Sequence, residues 1–146
     1  MQLPEEVKIT FVSAETKEPL SGLIAILSLV APRKNNFPLG LFTSNAEGEI
    51  LLIRTQVYKE IESLQNEFPM DYSTMPGKDT PCLIINIENT NDLESREKRM
   101  REFYPKEAKD LRAKLETACN IRCKSFLLEV MLTQKLSHLK VEVPAA

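Results

Sequence analysis

The chain has 146 residues, 42% hydrophobic and 27% charged, with a formal net charge of −2. That is the length and balance of a single soluble domain of ordinary composition, which needs no disulfide, metal or cofactor to account for folding. The slight negative charge speaks against a dedicated nucleic-acid binder, and the longest apolar run, "GLIAILSLVA" (22–31), is about half what a membrane span requires.

The charge is unevenly spread. Residues 1–90 hold 7 Lys/Arg against 12 Asp/Glu, whereas residues 91–146 hold 12 against 9. The start, "MQLPEEVKI", has neither a basic nor an apolar signal region. Three cysteines, Cys82, Cys119 and Cys123, are an odd set that argues against a disulfide framework. The expectation is a cytoplasmic protein with reduced thiols. A chain whose leader has been removed, or a domain cut from a longer protein, reads the same way.

In chain order, "VKITFV" (7–12) alternates, with Val7, Ile9 and Phe11 on one face, which predicts a strand. "SAETKEPLSG" is a turn punctuated by Pro19 and Gly22. "LIAILSLV" (23–30) is apolar on both faces and reads as an interior strand covered from both sides. "APRKNNFPLGL" reads as a loop because Pro32, Pro38 and Gly40 oppose regular structure. "TSNAEGE" (43–49) reads as a tight turn, with Asn45 and Gly48 able to take positive φ, and "ILLI" (50–53) as a short strand.

The period then changes. Val57, Ile61, Leu64 and Phe68 mark an amphipathic helix ending at Pro69. After a proline-rich loop (69–81), "CLIINIE" (82–88) reads as a buried strand, with Cys82 a small core residue. Asn91, with Glu94 three residues on, predicts a capped helix whose stripe is Leu93, Met100, Phe103 and Tyr104. Pro105 predicts the start of another helix with the stripe Ala108, Leu111, Leu115 and Ala118. "SFLLEVMLT" (125–133) and "LKVEV" (139–143) read as a closing antiparallel pair.

The prediction is an α+β antiparallel β-sandwich of about seven strands over residues 1–146. It has a short helix at about 55–68 and a two-helix insertion at about 92–119, within residues 91–121. Phe11, Ile24, Ile26 and Leu52 are expected between the two sheets.

The strand "VKITF", the turn "ETKEPLSG", the apolar strand and then "TSNAEGEILL" (43–52) resemble the prealbumin-like β-sandwich, the group of transthyretin and the carboxypeptidase regulatory-like domains. The likeness covers about the first fifty residues well and extends by strand order through "CLIINIE" and the last two strands. It implies that Pro19 and Leu20 set the turn and plug its open end, that Gly22 admits the chain to the inner strand, and that Gly48 makes a tight turn. Chemistries of that group do not carry over. Hydroxyisourate hydrolysis needs several histidines and this chain has only His138. The adhesin isopeptide needs an asparagine that "LKVEV" does not offer to Lys8.

No other motif carries chemistry on its own. Cys119 and Cys123 lack the second ligand pair of a zinc site, and "ENTNDLE" (88–94) lacks the glycine and the distal glutamate of a calcium loop. No cofactor or metal is expected.

"REKRMREFYPKEAKDLRAK" (96–114) carries 8 basic and 4 acidic residues around Phe103 and Tyr104. A solvated face laced with pairs such as Glu97–Arg101 and Glu102–Lys106 explains it, as does a docking face for an acidic protein. In the second case Arg96, Arg99, Lys106 and Lys109 are the contact residues. The expected function is a non-catalytic interaction or assembly module with a protein partner, and a homo-oligomer is an open reading. The alternative is a small hydrolase or carbohydrate-binding domain. Its site would lie in loops 32–40 and 69–81, with Asp71, Tyr72, Asp79 and His138 near it.

Overall fold

A computed structural model describes residues 3–31, 35–67, 81–87, 92–104 and 109–146, without the side chains of 31, 35–36 and 61–67. Seven strands and three helices follow in the order β1 (Glu6–Ser13), β2 (Ile24–Ala31), β3 (Asn35–Thr43), β4 (Glu49–Ile53), α1 (Arg54–Glu67), β5 (Cys82–Ile87), α2 (Leu93–Phe103), α3 (Leu111–Ala118), β6 (Phe126–Met131) and β7 (His138–Val143). The strands form one sheet in the order β4-β1-β7 and a second in the order β3-β2-β5-β6. All pairings are antiparallel except β1 with β7, which is parallel. An α+β, sandwich-like architecture results.

Alternation decides what fills the space between the sheets. Val7, Ile9 and Phe11 of β1, with Ile50 and Leu52 of β4 and Val141 and Val143 of β7, face Ala25, Leu27 and Leu29 of β2 and Leu83, Ile85 and Ile87 of β5. Seven of these (Ile9, Phe11, Leu27, Leu29, Leu83, Ile85 and Ile87) are fully buried leucine, isoleucine or phenylalanine side chains, each worth about 2 kcal/mol in transfer free energy.

Ile24 and Ile26 are not among them. They have the opposite parity on β2 and pack outward, with Leu41, against Met100, Leu111, Leu115 and Ala118 of the inserted helices. The expectation that they sit between the sheets is corrected. "LIAILSLV" is indeed covered from both sides, but by a sheet on one face and a helical layer on the other.

Three further expectations change. Residues 35–43 form a strand, not a loop. β3 is an edge strand, where a proline removes no ladder bond, and the register shifts between Leu27 and Ser28, opposite Gly40 and Pro38. The last two strands do not pair with each other: β6 joins β5, and β7 crosses to the other sheet beside β1. The six-residue link between them carries Leu132, which is buried, and Leu136, which packs on the same core, so it caps the end of the sandwich. A tight hairpin would leave both leucines in water.

The inserted helices also start later than the prolines and asparagines suggest. Asp92 caps α2 through its carboxylate, which accepts the Ser95 N–H at 3.2 Å. Asn91, Pro105 and Ala108 lie outside the described residues. α3 begins only after Asp110, which sits in the left-handed region at φ +60°.

Candidate functional site

The opening turn is a structural clip. Ser13 N–H donates to Glu18 O and Leu20 N–H to Phe11 O, folding the turn back over β1, while Leu20 packs on the core. Ser44 holds its far end. The buried Ser44 hydroxyl donates to Leu20 O at 2.6 Å and accepts Leu23 N–H at 2.9 Å. Ser44 O and N also bond Gly22 N–H and Leu23 O. Gly48 has φ +76°, and a Cβ there would lie 2.7 Å from Phe11 O, so glycine is required twice over. Asn45 works differently from the expectation. It is not at positive φ, and its side-chain oxygen accepts the N–H groups of Glu47 and Glu49. The Ser44 and Asn45 side chains here are both engaged in holding backbone.

The helical layer carries the residues expected to meet a partner. Arg96 is 6% exposed and faces inward, near enough to Cys123 to oppose the upward push that burial gives that thiol. Arg96 is therefore a packing residue of α2 and leaves the contact set. Arg99 and Lys109 are exposed, and Lys106 lies outside the described residues. Phe103, expected in the apolar stripe, is instead 66% exposed, one turn beyond Arg99, because the stripe that packs inward is Leu93, Arg96, Met100 and Tyr104.

Charge on this layer is partly internal. Glu97 receives Arg101 at 3.0 Å and Arg112 at 2.8 Å, and Arg112 also reaches Glu116 at 3.0 Å. The Arg112 and Arg101 hydrogen bonds hold the Glu97 carboxyl below the usual carboxylate range. The expected Glu97–Arg101 pair is present, and it becomes a network that ties α2 to α3. Lys98, Arg99, Phe103 and Lys109 are exposed.

A second exposed apolar group was not foreseen. On β6, Leu127 is 58% and Met131 56% exposed, with Glu129 between them on the same outward face. The signal was in the sequence: period two places a charge at 129 and so directs 127 and 131 to its face.

Of the elements of the alternative reading, the described residues place His138. His138 is exposed on β7, its Nε2 2.9 Å from Thr10 Oγ1 on the outer face of the three-stranded sheet. A groove of about 290 Å³ lies across that sheet, beside β4, walled by Leu39, Phe42, Leu51 and Val57 with Gln56 and Lys59 at its rim. Among the described residues of loops 32–40 and 69–81, Leu39 lines it, and Asp71, Tyr72 and Asp79 lie outside the described residues.

Cys82 is half-buried rather than a core residue, Cys119 is half-buried at the end of α3, and Cys123 is buried. Burial raises the Cys82 and Cys123 thiols, the opposite of activation as a nucleophile. Among the described residues no three His, Cys, Asp or Glu side chains converge on a metal position, and no helix is long and apolar enough to cross a membrane.

Compared with known proteins, the chain matches no family model and has no significant match among curated proteins.

Proposed function

We propose that the chain is a non-catalytic interaction module, a sandwich of prealbumin-like type that presents its inserted helical layer to an acidic protein partner. The observation that carries this is Phe103, a large aromatic side chain 66% exposed on a helix of fixed position, with Arg99 one turn before it. An exposed aromatic beside arginine is the composition of a binding anchor, and the layer beneath it is held by its own buried core of Met100, Leu111 and Leu115. The prealbumin-like assignment is supported by the turn clipped through Ser44 and Gly48, which uses the residues on which that likeness rests. The hydrolase or carbohydrate-binding alternative has less support, because His138 stands apart from the groove.

The test is co-purification with the wild type and with Arg99→Glu, Lys109→Glu and Phe103→Ala combined. The variant should keep its thermal melt and lose the wild-type partner, with binding that weakens as salt rises. A partner retained by the folded variant removes the helical layer from the function.

A further inference from the structure

β3 and β4 are outer strands of opposite sheets, and among the described residues no further strand joins the two layers along that flank. α1 begins at Arg54, the residue after β4 ends, so no connecting chain lets the helix swing across and close the gap. What remains open is the groove of about 290 Å³ between β3, β4 and α1. The side chains that β3 and β4 give to it are apolar. Leu51 is 41% exposed there, turned outward opposite Lys8, where alternation on a solvated sheet face calls for a polar residue. A recess of about 10 Å³ shares Leu39, Leu52 and Val57 with the groove, so the packing behind these three side chains is incomplete.

The polar groups stand on one side. α1 sets Gln56, Lys59 and Glu60 along the rim, with Lys59 and Glu60 one helical turn beyond Gln56. Glu60 is already engaged, whereas among the described residues nothing pairs with Lys59 or with the Gln56 carboxamide. An ammonium and an amide donor thus lie beside an apolar trough, and the two oxygens of one carboxylate can accept from both.

We propose that this groove binds a free, unbranched aliphatic carboxylate, its acid held at the Lys59 rim and its chain laid against Leu39, Phe42 and Leu51. The volume is at the small end of ligand pockets and equals about ten methylene-sized units, taking roughly 30 Å³ for each as for a water molecule. A sugar would set its hydroxyls against Leu51 and Phe42 without partners, and a cationic amphiphile would meet Lys59 with like charge. Leu51 and Lys59 take no part in the packing of α2 and α3, so the docking proposed for that layer stands or falls separately.

Calorimetric titration of the purified full chain with decanoate, kept below its micelle concentration, tests this. From octanoate to decanoate the affinity should rise about fourfold per added methylene, and the gain should fade over the next few carbons as the groove fills. Decanoate should also raise the melting temperature. Lys59→Glu should weaken decanoate about tenfold and leave decanol binding unchanged, while Lys59→Arg keeps the wild-type affinity. Leu51→Asp should weaken both ligands, and the Lys59 pair keeps the test intact if that variant does not fold. Decanol bound as tightly as decanoate would make the groove a purely apolar docking surface. That result overturns the proposal, as does no binding at millimolar decanoate or an affinity indifferent to Lys59→Glu. Retention on phosphatidylglycerol vesicles in place of decanoate binding would make the occupant a membrane and overturns it too.

Discussion

Gly22 and Thr117 meet where the opening turn touches the helical layer. A Cβ at position 22 would lie 2.6 Å from Thr117 Cγ2, and Gly22 itself has φ +78°. The methyl group cannot easily swing away, because Thr117 Oγ1 donates to Ala113 O at 3.0 Å and so fixes the side-chain rotamer. The turn that shapes the sandwich is thus also the seat of α3.

Two penalties should therefore separate in a mutant cycle. Gly22→Ala should cost about 2–3 kcal/mol, from the left-handed backbone and the clash together. Thr117→Ser keeps the hydroxyl and removes the methyl, so in the Gly22→Ala background it should recover roughly 1 kcal/mol and no more, because the backbone strain remains. Denaturant melts of the four proteins check this; equal losses in both backgrounds would place the whole cost in the backbone.

Ser44→Ala leaves Leu23 N–H and Leu20 O facing an apolar methyl in a buried place. A loss of about 1–3 kcal/mol is expected, with faster amide exchange at Leu23 as the local readout. An unchanged melt would mean that water replaces the hydroxyl.

Arg96 and Arg99 are three residues apart in sequence and opposite in consequence. Arg96→Glu should destabilise by at least about 3 kcal/mol, since it places an acid in the buried position of a cation. Arg99→Glu should stay within about 0.5 kcal/mol of wild type. Thermal melts distinguish them, and similar values would contradict the inward orientation of Arg96.

The Glu97 network makes a prediction in pH. Its carboxyl is held below the ordinary value of 4.5, first by the hydrogen bond from Arg112 and then by that from Arg101. A lowered folded value means that the unfolded chain binds the proton first, so the stabilisation is complete above the ordinary value and is lost as pH falls through the lowered one. Glu97→Gln should melt below wild type at neutral pH, with the gap closing only under pH 4.5 and shrinking in high salt. A gap constant with pH would show that the network contributes nothing through charge.

Much of the strand inventory was legible because side-chain alternation is a local property. Val7, Ile9 and Phe11 share a face through backbone geometry alone, and all three are buried. Gly48 was legible too, since a tight turn needs its positive φ. "APRKNNFPLGL" misled because proline is scored against the middle of a sheet, whereas β3 lies at an edge. Phe103 misled because an apolar residue next to a helical stripe is expected to join it, and the helix ends one residue later.

For this protein, then, the residue order determined where most strands and helices form, β3 excepted, where the turns tighten, and that β2 would be covered on both faces. Tertiary structure alone decided which face of β2 meets the other sheet, that β6 and β7 part company, and that Arg96 turns inward. Those outcomes depend on which edges and faces meet across the fold. A strand apolar on both sides, or a helix flanked by charges on every side, carries no local mark of its future neighbour.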